Sequence, residues 1–236
     1  MRSERLVASS TDREFTAKLT LPKGTGPFPA VVCIHPASDG TRDHFLFLHL
    51  EGLLPPLGIA VARFDRRGND VPFLDQARDV DAVLEALGAR QDIDATRLGL
   101  WAFDQGAWVA PLVATGSARV AFLILVAAAG VSPGVQLRHA MGPQAVADED
   151  LEFDPAAVIA AVDVPTLVFY GEDDEWQPTS ESVAAWERAG TRDLMIARIP
   201  NTGHAPVAAG GTDIASVLPR YTDTLGAWIK RVARTG

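Results

Sequence analysis

"RLGLWAFDQGAWVAPLVA", residues 97–114, decides how this chain is read. Residues 97–103 form an apolar run of the length of a buried strand, "DQG" supplies turn-forming residues, and the apolar positions that follow read as a helix. A buried strand turning sharply into a helix is the repeating junction of a parallel βαβ sheet. Asp104 stands at the tip of that turn, so the junction raises a chemical question as well as a structural one.

Working outward, strand-like runs alternate with longer helical patterns. "EFTAKLTL" (14–21) alternates apolar and polar residues as an edge strand would, and "LPKGTGPFP" leads into the apolar run "AVVCIH" (30–35). Residues 43–58 read as a helix closed by Pro and Gly, 59–65 as a buried strand, and 74–89 as an amphipathic helix. Beyond the opening stretch, the pattern predicts a helix over 105–116, strands over 120–128, 165–171 and 194–200, and helices over 180–190 and around 213–233. The N-terminal "MRSERLVASSTDREF" reads as charged and polar, without an assigned element. Residues 129–160 break the rhythm: their Gly/Pro content and the acidic run "ADEDLEFD" suggest a short lid above the sheet. Within it "DPAAVIAAV" predicts a small helix capped by Asp154, with Pro155 in its first turn. The fold class expected is α/β, a mostly parallel twisted sheet flanked by helices, as one domain over 1–236 with a reduced lid around 129–160.

Composition narrows the functions. The 236 residues, 47% hydrophobic, suffice for one well-buried core. Thirty acidic against 21 basic residues leave a formal charge of −9 with no Lys/Arg-rich run, which argues against nucleic acid as a partner. No apolar stretch approaches the ~18 residues of a membrane span, and no leader pattern opens the chain, so a cytoplasmic location and a small-molecule partner are expected. The single cysteine, Cys33, rules out an intrachain disulfide and reads as a buried strand residue. No Gly-x-Gly-x-x-Gly or Walker-type motif follows a strand, so no cofactor is implied. His44, His49 and His139 have no spacing that suggests a metal site. Oligomeric state is not encoded in any pattern here.

In open parallel sheets, ligands sit outside the carboxyl ends of the strands. The chain places His35, Asp65, Asp104, Asp173 or Asp174, and His204 there. A turn residue after a middle strand, an acid after a late strand and a histidine after the last strand follow the chain order of the α/β-hydrolase fold. The sequence resembles small, dienelactone-hydrolase-like members of that family along nearly its whole length. "FPAVVCIHPASDGTRDH" resembles the strand and oxyanion loop, "FDRRGND" the Asp-Arg-Arg-Gly turn, "WAFDQGAWVAP" the nucleophile elbow, "VPTLVFYGEDDEWQP" the acid strand and "IPNTGHAP" the histidine loop. The resemblance implies Asp104 in the nucleophile position, Asp174 as the acid with Asp173 as fallback, and His204 as the base. It places His35 in the oxyanion loop and the N–H groups of Gln105 and Ala37, with the Ser38 hydroxyl, around the oxyanion hole.

Two departures carry the chemistry. The elbow pattern Gly-x-Ser-x-Gly reads Ala102-Phe103-Asp104-Gln105-Gly106 here, and Pro36 follows His35 where the family has glycine. Asp tolerates positive φ, so the turn can survive. A carboxylate with a reference pKa of ~3.9 is already ionised at neutral pH and needs no activating base. Toward an ester it would form an anhydride that reverts, whereas on saturated carbon bearing a leaving group it would form an alkyl ester. Water deprotonated by His204, with Asp174 holding the imidazole, would then cleave that ester. This division of labour resembles the epoxide-hydrolase and haloalkane-dehalogenase branches. "FDQGA" also resembles the elbow of fluoroacetate-type dehalogenases, with Gln105 in place of their arginine. The two tyrosines, Tyr170 and Tyr221, are not placed as a ring-opening pair, and Gln105 stands where dehalogenases often carry tryptophan.

Other readings stay open: acid–base lyase, isomerase or cyclase chemistry through Asp104 and His204, carbonyl hydrolysis by Asp104-activated water, or a binding protein with a decayed elbow. Each further residue has a plain packing role beside its functional one. His35 is expected to shape its loop, Asp65, Arg66 and Arg67 to form an ion-pair turn, and Trp108 to be core. Trp176 is expected to wall the pocket or to pack, and His139 to lie in the lid within reach of substrate.

Overall fold

The computed structural model describes residues 1–68, 71–145 and 153–233. Its frame is one eight-stranded sheet built from β1 (Arg2–Ser9), β2 (Glu14–Leu21), β3 (Phe28–Ile34), β4 (Ala60–Phe64), β5 (Ile93–Phe103), β6 (Val120–Val126), β7 (Thr166–Gly171) and β8 (Leu194–Ile199). The spatial order is β1-β2-β4-β3-β5-β6-β7-β8; β1/β2 and β2/β4 pair antiparallel and the remaining neighbours parallel. From β3 the chain crosses to β4 on one side and then returns to β5 on the other. This reversal opens the crevice where a ligand binds in such sheets.

Strand periodicity sorts the core into two layers. Leu98, Leu100 and Ala102 of β5 face one side, with Ala30, Val32 and Ile34 of β3; Trp101 and Phe103 face the other, with Val31 and Cys33. Helices α2 (Phe73–Gly88), α3 (Gly106–Gly116) and α6 (Thr179–Ala189) cover the first face. Helices α1 (Phe45–Leu53) and α7 (Pro219–Val232) cover the second. Both faces are sealed, which is why these strands read as continuous apolar runs. Cys33 is fully buried, as expected, and burial pushes its thiol far up.

Several expectations need correction. The N-terminal stretch without an assigned element forms β1, where Leu6 and Ala8 are buried while the alternate residues face water. That makes β2 an interior strand and moves the edge to β1. The helix expected over 43–58 divides into α1 and a 3₁₀ turn at Pro55–Leu57, which Gly58 ends in the left-handed region. The helix expected from 213 begins at Pro219, since Asp213 and Ser216 close a capping box on a separate 3₁₀ turn. The lid region contains α4 (Pro133–Met141) and the short α5 (Ala156–Ala160), where Asp154 Oδ1 accepts from the Ala156 N–H at 2.9 Å. The acidic run falls largely at 146–152, outside the described residues.

The "FDRRG" turn after β4 does not pair within itself. Asp65 binds Arg42, Arg67 binds Asp79 and Asp12, and Arg66 reaches toward the end of β5. Among the described residues, no helix is long and apolar enough to cross a membrane.

Candidate active site

Asp104 follows β5 directly and adopts φ +53°, the left-handed region in which Asp is tolerated. Its N–H donates to Val126 O at 3.1 Å, and its carbonyl accepts from the Ala107 N–H at 2.9 Å, so the chain turns at once into α3. Only the second glycine of the elbow is demanded by packing. A Cβ at Gly106 would lie 2.8 Å from His35 O and 2.9 Å from Ile34 O, whereas Ala102 fits, fully buried, between Ile34 and Leu125. α3 can therefore press against the end of β3, which brings the loop after β3 over the turn.

That closeness sets the fine geometry. The Ala37 N–H donates to Asp104 Oδ2 at 2.9 Å, so the absence of an N–H at Pro36 leaves this donor intact. The Gln105 N–H also bonds the carboxylate. Asp104 Oδ1 lies 3.3 Å from His204 Nε2, and His204 Nδ1 lies 2.9 Å from Asp174 Oδ2. Asp174 is buried and its Oδ1 accepts from the Trp176 N–H at 2.9 Å; Asp173 is exposed and does not reach the imidazole. Of the two aspartates after β7, the structure brings Asp174 to His204.

Burial opposes charge at both ends of this contact, and partners outweigh it. Desolvation raises the Asp104 carboxyl, but His204 and the N–H groups of Ala37 and Gln105 hold it below its ordinary value. Desolvation lowers His204, yet Asp104 and Asp174 bring it up to about 9. At neutral pH the resting pair is therefore carboxylate against imidazolium.

A cavity of about 580 Å³ opens over the pair. Its walls are mainly Phe73, Phe103, Trp108, Leu137 and Trp176, and its polar contributors are Ser38, Gln105 and Gln136 beside Asp104 and His204. Trp176 stays 45% exposed at the mouth. Trp108 is both wall and scaffold, since its Nε1 donates to Val131 O at 3.1 Å. His35 lies outside the cavity. It is buried between Phe47 and Phe64, with ring centroids 5.1 Å from each, and desolvation pushes it down to about 4. His139 is exposed on α4, whose cavity-facing residues are Pro133, Gln136 and Leu137.

Two site residues had no local signal. Gln136 is a polar residue within a short helix, and only the docking of α4 shows that it faces the cavity. Arg66 read as part of an ion-pair turn. Instead its guanidinium donates to Gln105 Oε1 at 2.9 Å, Pro36 O at 2.8 Å and Ala37 O at 3.0 Å, bracing both sides of the elbow. Among the described residues, no group of three His, Cys, Asp or Glu side chains is arranged to hold a metal ion.

No protein-family model matches the chain, and no curated protein matches it in sequence. Solved structures do match in shape. DcsB in complex with its substrate analogue superposes with a TM-score of 0.80 at 16% identity, over 98% of this chain and 100% of that one. The α/β hydrolase GrgF from Penicillium sp. sh18 superposes at 0.77 and 16% identity, over 99% and 100% of the two chains. The fold is that of the α/β hydrolases. The esterase domain of a Rhodothermus marinus protein agrees, with a TM-score of 0.73 and 19% identity over 99% and 100% of the chains. Within the α/β-hydrolase fold, Asp104 occupies the strand-to-helix elbow and His204 the loop after the last strand.

Proposed function

We propose that this protein is a cofactor-free hydrolase of a small organic electrophile, in which Asp104 attacks saturated carbon and the resulting alkyl ester is cleaved by water. The observation that carries this reading is the division of the two Asp104 oxygens. Oδ2 is held by the Ala37 N–H at 2.9 Å, which leaves Oδ1, beside His204, as the attacking atom of a residue that lines the cavity. When Oδ1 becomes the ester oxygen, Oδ2 becomes the ester carbonyl and already accepts from the Ala37 N–H, a donor that would stabilise a tetrahedral oxyanion.

Charge follows the same sequence. Alkylation neutralises Asp104, removing one of the two acids that hold the His204 proton, so the imidazole can release it to solvent and then accept a proton from water. Asp174 keeps the ring oriented through Nδ1. An attack on an ester carbonyl would instead give an anhydride at Asp104, which supports saturated carbon over carbonyl substrates.

The resting carboxylate–imidazolium pair supports a second reading, proton transfer by Asp104 and His204 without an adduct, as in lyase or isomerase chemistry. One experiment separates them. His204→Gln protein incubated with alkyl halides and epoxides should gain the mass of the alkyl group on the peptide bearing Asp104, because attack proceeds and hydrolysis stops. Substrate consumption by the wild type with an unmodified Asp104 peptide in the variant would replace the covalent reading with the proton-transfer one.

A further inference from the structure

Among the groups lining the cavity, those that could hand a proton to a departing atom are few. Among the described residues, the one titratable proton donor there is His204, and its Nε2 lies 3.3 Å from Asp104 Oδ1, on the nucleophile's side of the reacting carbon. Displacement at saturated carbon sends the leaving group out on the opposite side, away from that imidazole. Both tyrosines are buried away from the cavity: Tyr170 donates its hydroxyl to Ala128 O at 2.7 Å, and Tyr221 accepts from Trp101 Nε1 at 2.8 Å. Among the described residues, the other polar side chains lining the cavity are neutral: the Ser38 hydroxyl, the carboxamides of Gln105 and Gln136, and the indole of Trp176.

The Gln105 amide is also set in one sense. Arg66 Nη1 donates to its Oε1 at 2.9 Å, which leaves the NH₂ as the amide's free end, on a residue that lines the cavity. Arg66 itself is turned to that oxygen and to the Pro36 and Ala37 carbonyls, and it does not line the cavity. Among the described residues, the cavity lining therefore presents no cation to a substrate carboxylate other than the imidazolium facing Asp104. The wall is aromatic and aliphatic, and the volume of about 580 Å³ is that of a pocket for a compact organic molecule.

Resting on the covalent reading above, we propose that the substrate is a neutral, largely apolar alkyl halide, whose halide leaves against the carboxamide donors of Gln105 and Gln136, with Arg66 as the positioning residue for Gln105. A halide is a weakly basic anion and departs without a proton; an epoxide oxygen departs as a strongly basic alkoxide and needs one. The steps balance. The Oδ1 lone pair forms the C–O bond while the C–X pair leaves with the halide, and His204 then sheds its proton to solvent. Neutral His204 takes a proton from water as hydroxide adds to the Asp104 carboxyl carbon. The alcohol departs with that proton, and the new carboxylic acid gives its own to His204. The sum is RX + H₂O giving ROH, X⁻ and H⁺.

The test uses full-length His204→Gln protein and three probes of similar size: 2-phenylethyl bromide with its chloride, styrene oxide, and bromoacetate. Adduct growth on Asp104 is followed by intact mass and peptide mapping. The bromide is expected to alkylate Asp104 at least about tenfold faster than either the oxide or the haloacid. Gln105→Leu and Gln136→Leu, each added to His204→Gln, are expected to slow alkylation by about tenfold, and more for chloride than for bromide, because the poorer leaving group leans harder on its donors. Arg66→Met should shift the same chloride-to-bromide ratio and Arg66→Lys should restore it in part, whereas a purely structural loss would slow both halides equally. Faster alkylation by the oxide or the haloacid, or an unchanged ratio in the glutamine variants, would overturn the halide assignment while leaving Asp104 as nucleophile. The absence of any adduct with all probes would remove the covalent reading and this inference together.

Discussion

Asp104 and His204 stabilise each other's charged forms, and that coupling has a pH signature. His204 is raised from an ordinary 6.5 to about 9, so its contribution to stability is complete below 6.5 and is lost as pH rises through about 9. Asp104 is lowered, so its contribution is present above the ordinary carboxylate range and is lost as pH falls through its depressed value. The pair therefore stabilises the fold between those limits. Thermal stability is expected to fall between pH 7 and pH 10 in the wild type and to fall less in His204→Gln; parallel curves would show that the imidazole is not held by its neighbours. A second prediction concerns the donors that now bind Asp104. In Asp104→Ser, the Ala37 and Gln105 N–H groups would be released to an acyl oxyanion, and His204 with Asp174 would stand ready as base. This variant should hydrolyse p-nitrophenyl acetate at least about tenfold faster than Asp104→Ala, and adding His204→Gln should abolish the gain. Equal rates in the two single variants would show that the oxyanion donors do not serve a substrate.

At the scale of elements, the site depends on where strands end and how closely the following loops approach. β7 ends at Gly171, where an added Cβ would lie 2.0 Å from Gly203 O and 2.2 Å from Thr202 O. That contact locks the strand preceding Asp174 to the loop carrying His204. Gly171→Ala should cost about 1–3 kcal/mol or more, since backbone on both sides must move. It should also lower activity in protein that is still folded, by drawing His204 away from Asp174. Wild-type activity with a lowered melting temperature would mean that the contact serves stability alone. The same closeness explains what could be read from the chain. Asp104 was legible because it directly follows a strong apolar run, and the position after such a strand is fixed by the sheet; Asp174 and His204 were legible only through the resemblance of "GEDDEWQP" and "NTGHAP" to the acid and histidine loops of the α/β hydrolases. Gln136 and Arg66 were not, because their roles come from the docking of α4 and from a turn reaching across the elbow, neither of which leaves a local pattern. His139 was misplaced for the same reason: one residue's difference on a helix turns a side chain by about 100°.

For the molecule as a whole, the sheet is asymmetric, and its two ends serve different purposes. The parallel strands from β4 to β8 carry Ala37, Asp104, Asp174 and His204 on the loops that follow them, and α2, α3 and α4 add the cavity wall, while β1 and β2 close the other side as an antiparallel ribbon. β1 escaped sequence reading because "RSERLVAS" buries only Leu6 and Ala8, so charged residues mask its alternation. Physically it is nonetheless part of the core: those two side chains join the cluster beneath α2, and Arg2 and Glu4 form ion pairs with Asp92 and Arg90 at the start of β5. Removing residues 1–9 would expose the β2 edge as an unpaired row of N–H and C=O groups and uncover one flank of α2. Burial of Leu6 alone is worth roughly 2 kcal/mol, and the lost ladder and Ala8 add to it, so a deficit of at least about 3 kcal/mol is expected. For a chain of this size that lowers the melting temperature by about 10 °C. The truncated protein should also self-associate through β2 at concentrations where the full chain does not. Yet Asp104, Ala37 and His204 stand at strands β5, β3 and β8, so alkylation of Asp104 measured well below the transition should keep its wild-type rate. Scanning calorimetry beside single-turnover adduct formation reads both quantities, and a fall in alkylation rate at full folding would tie the ribbon to the site.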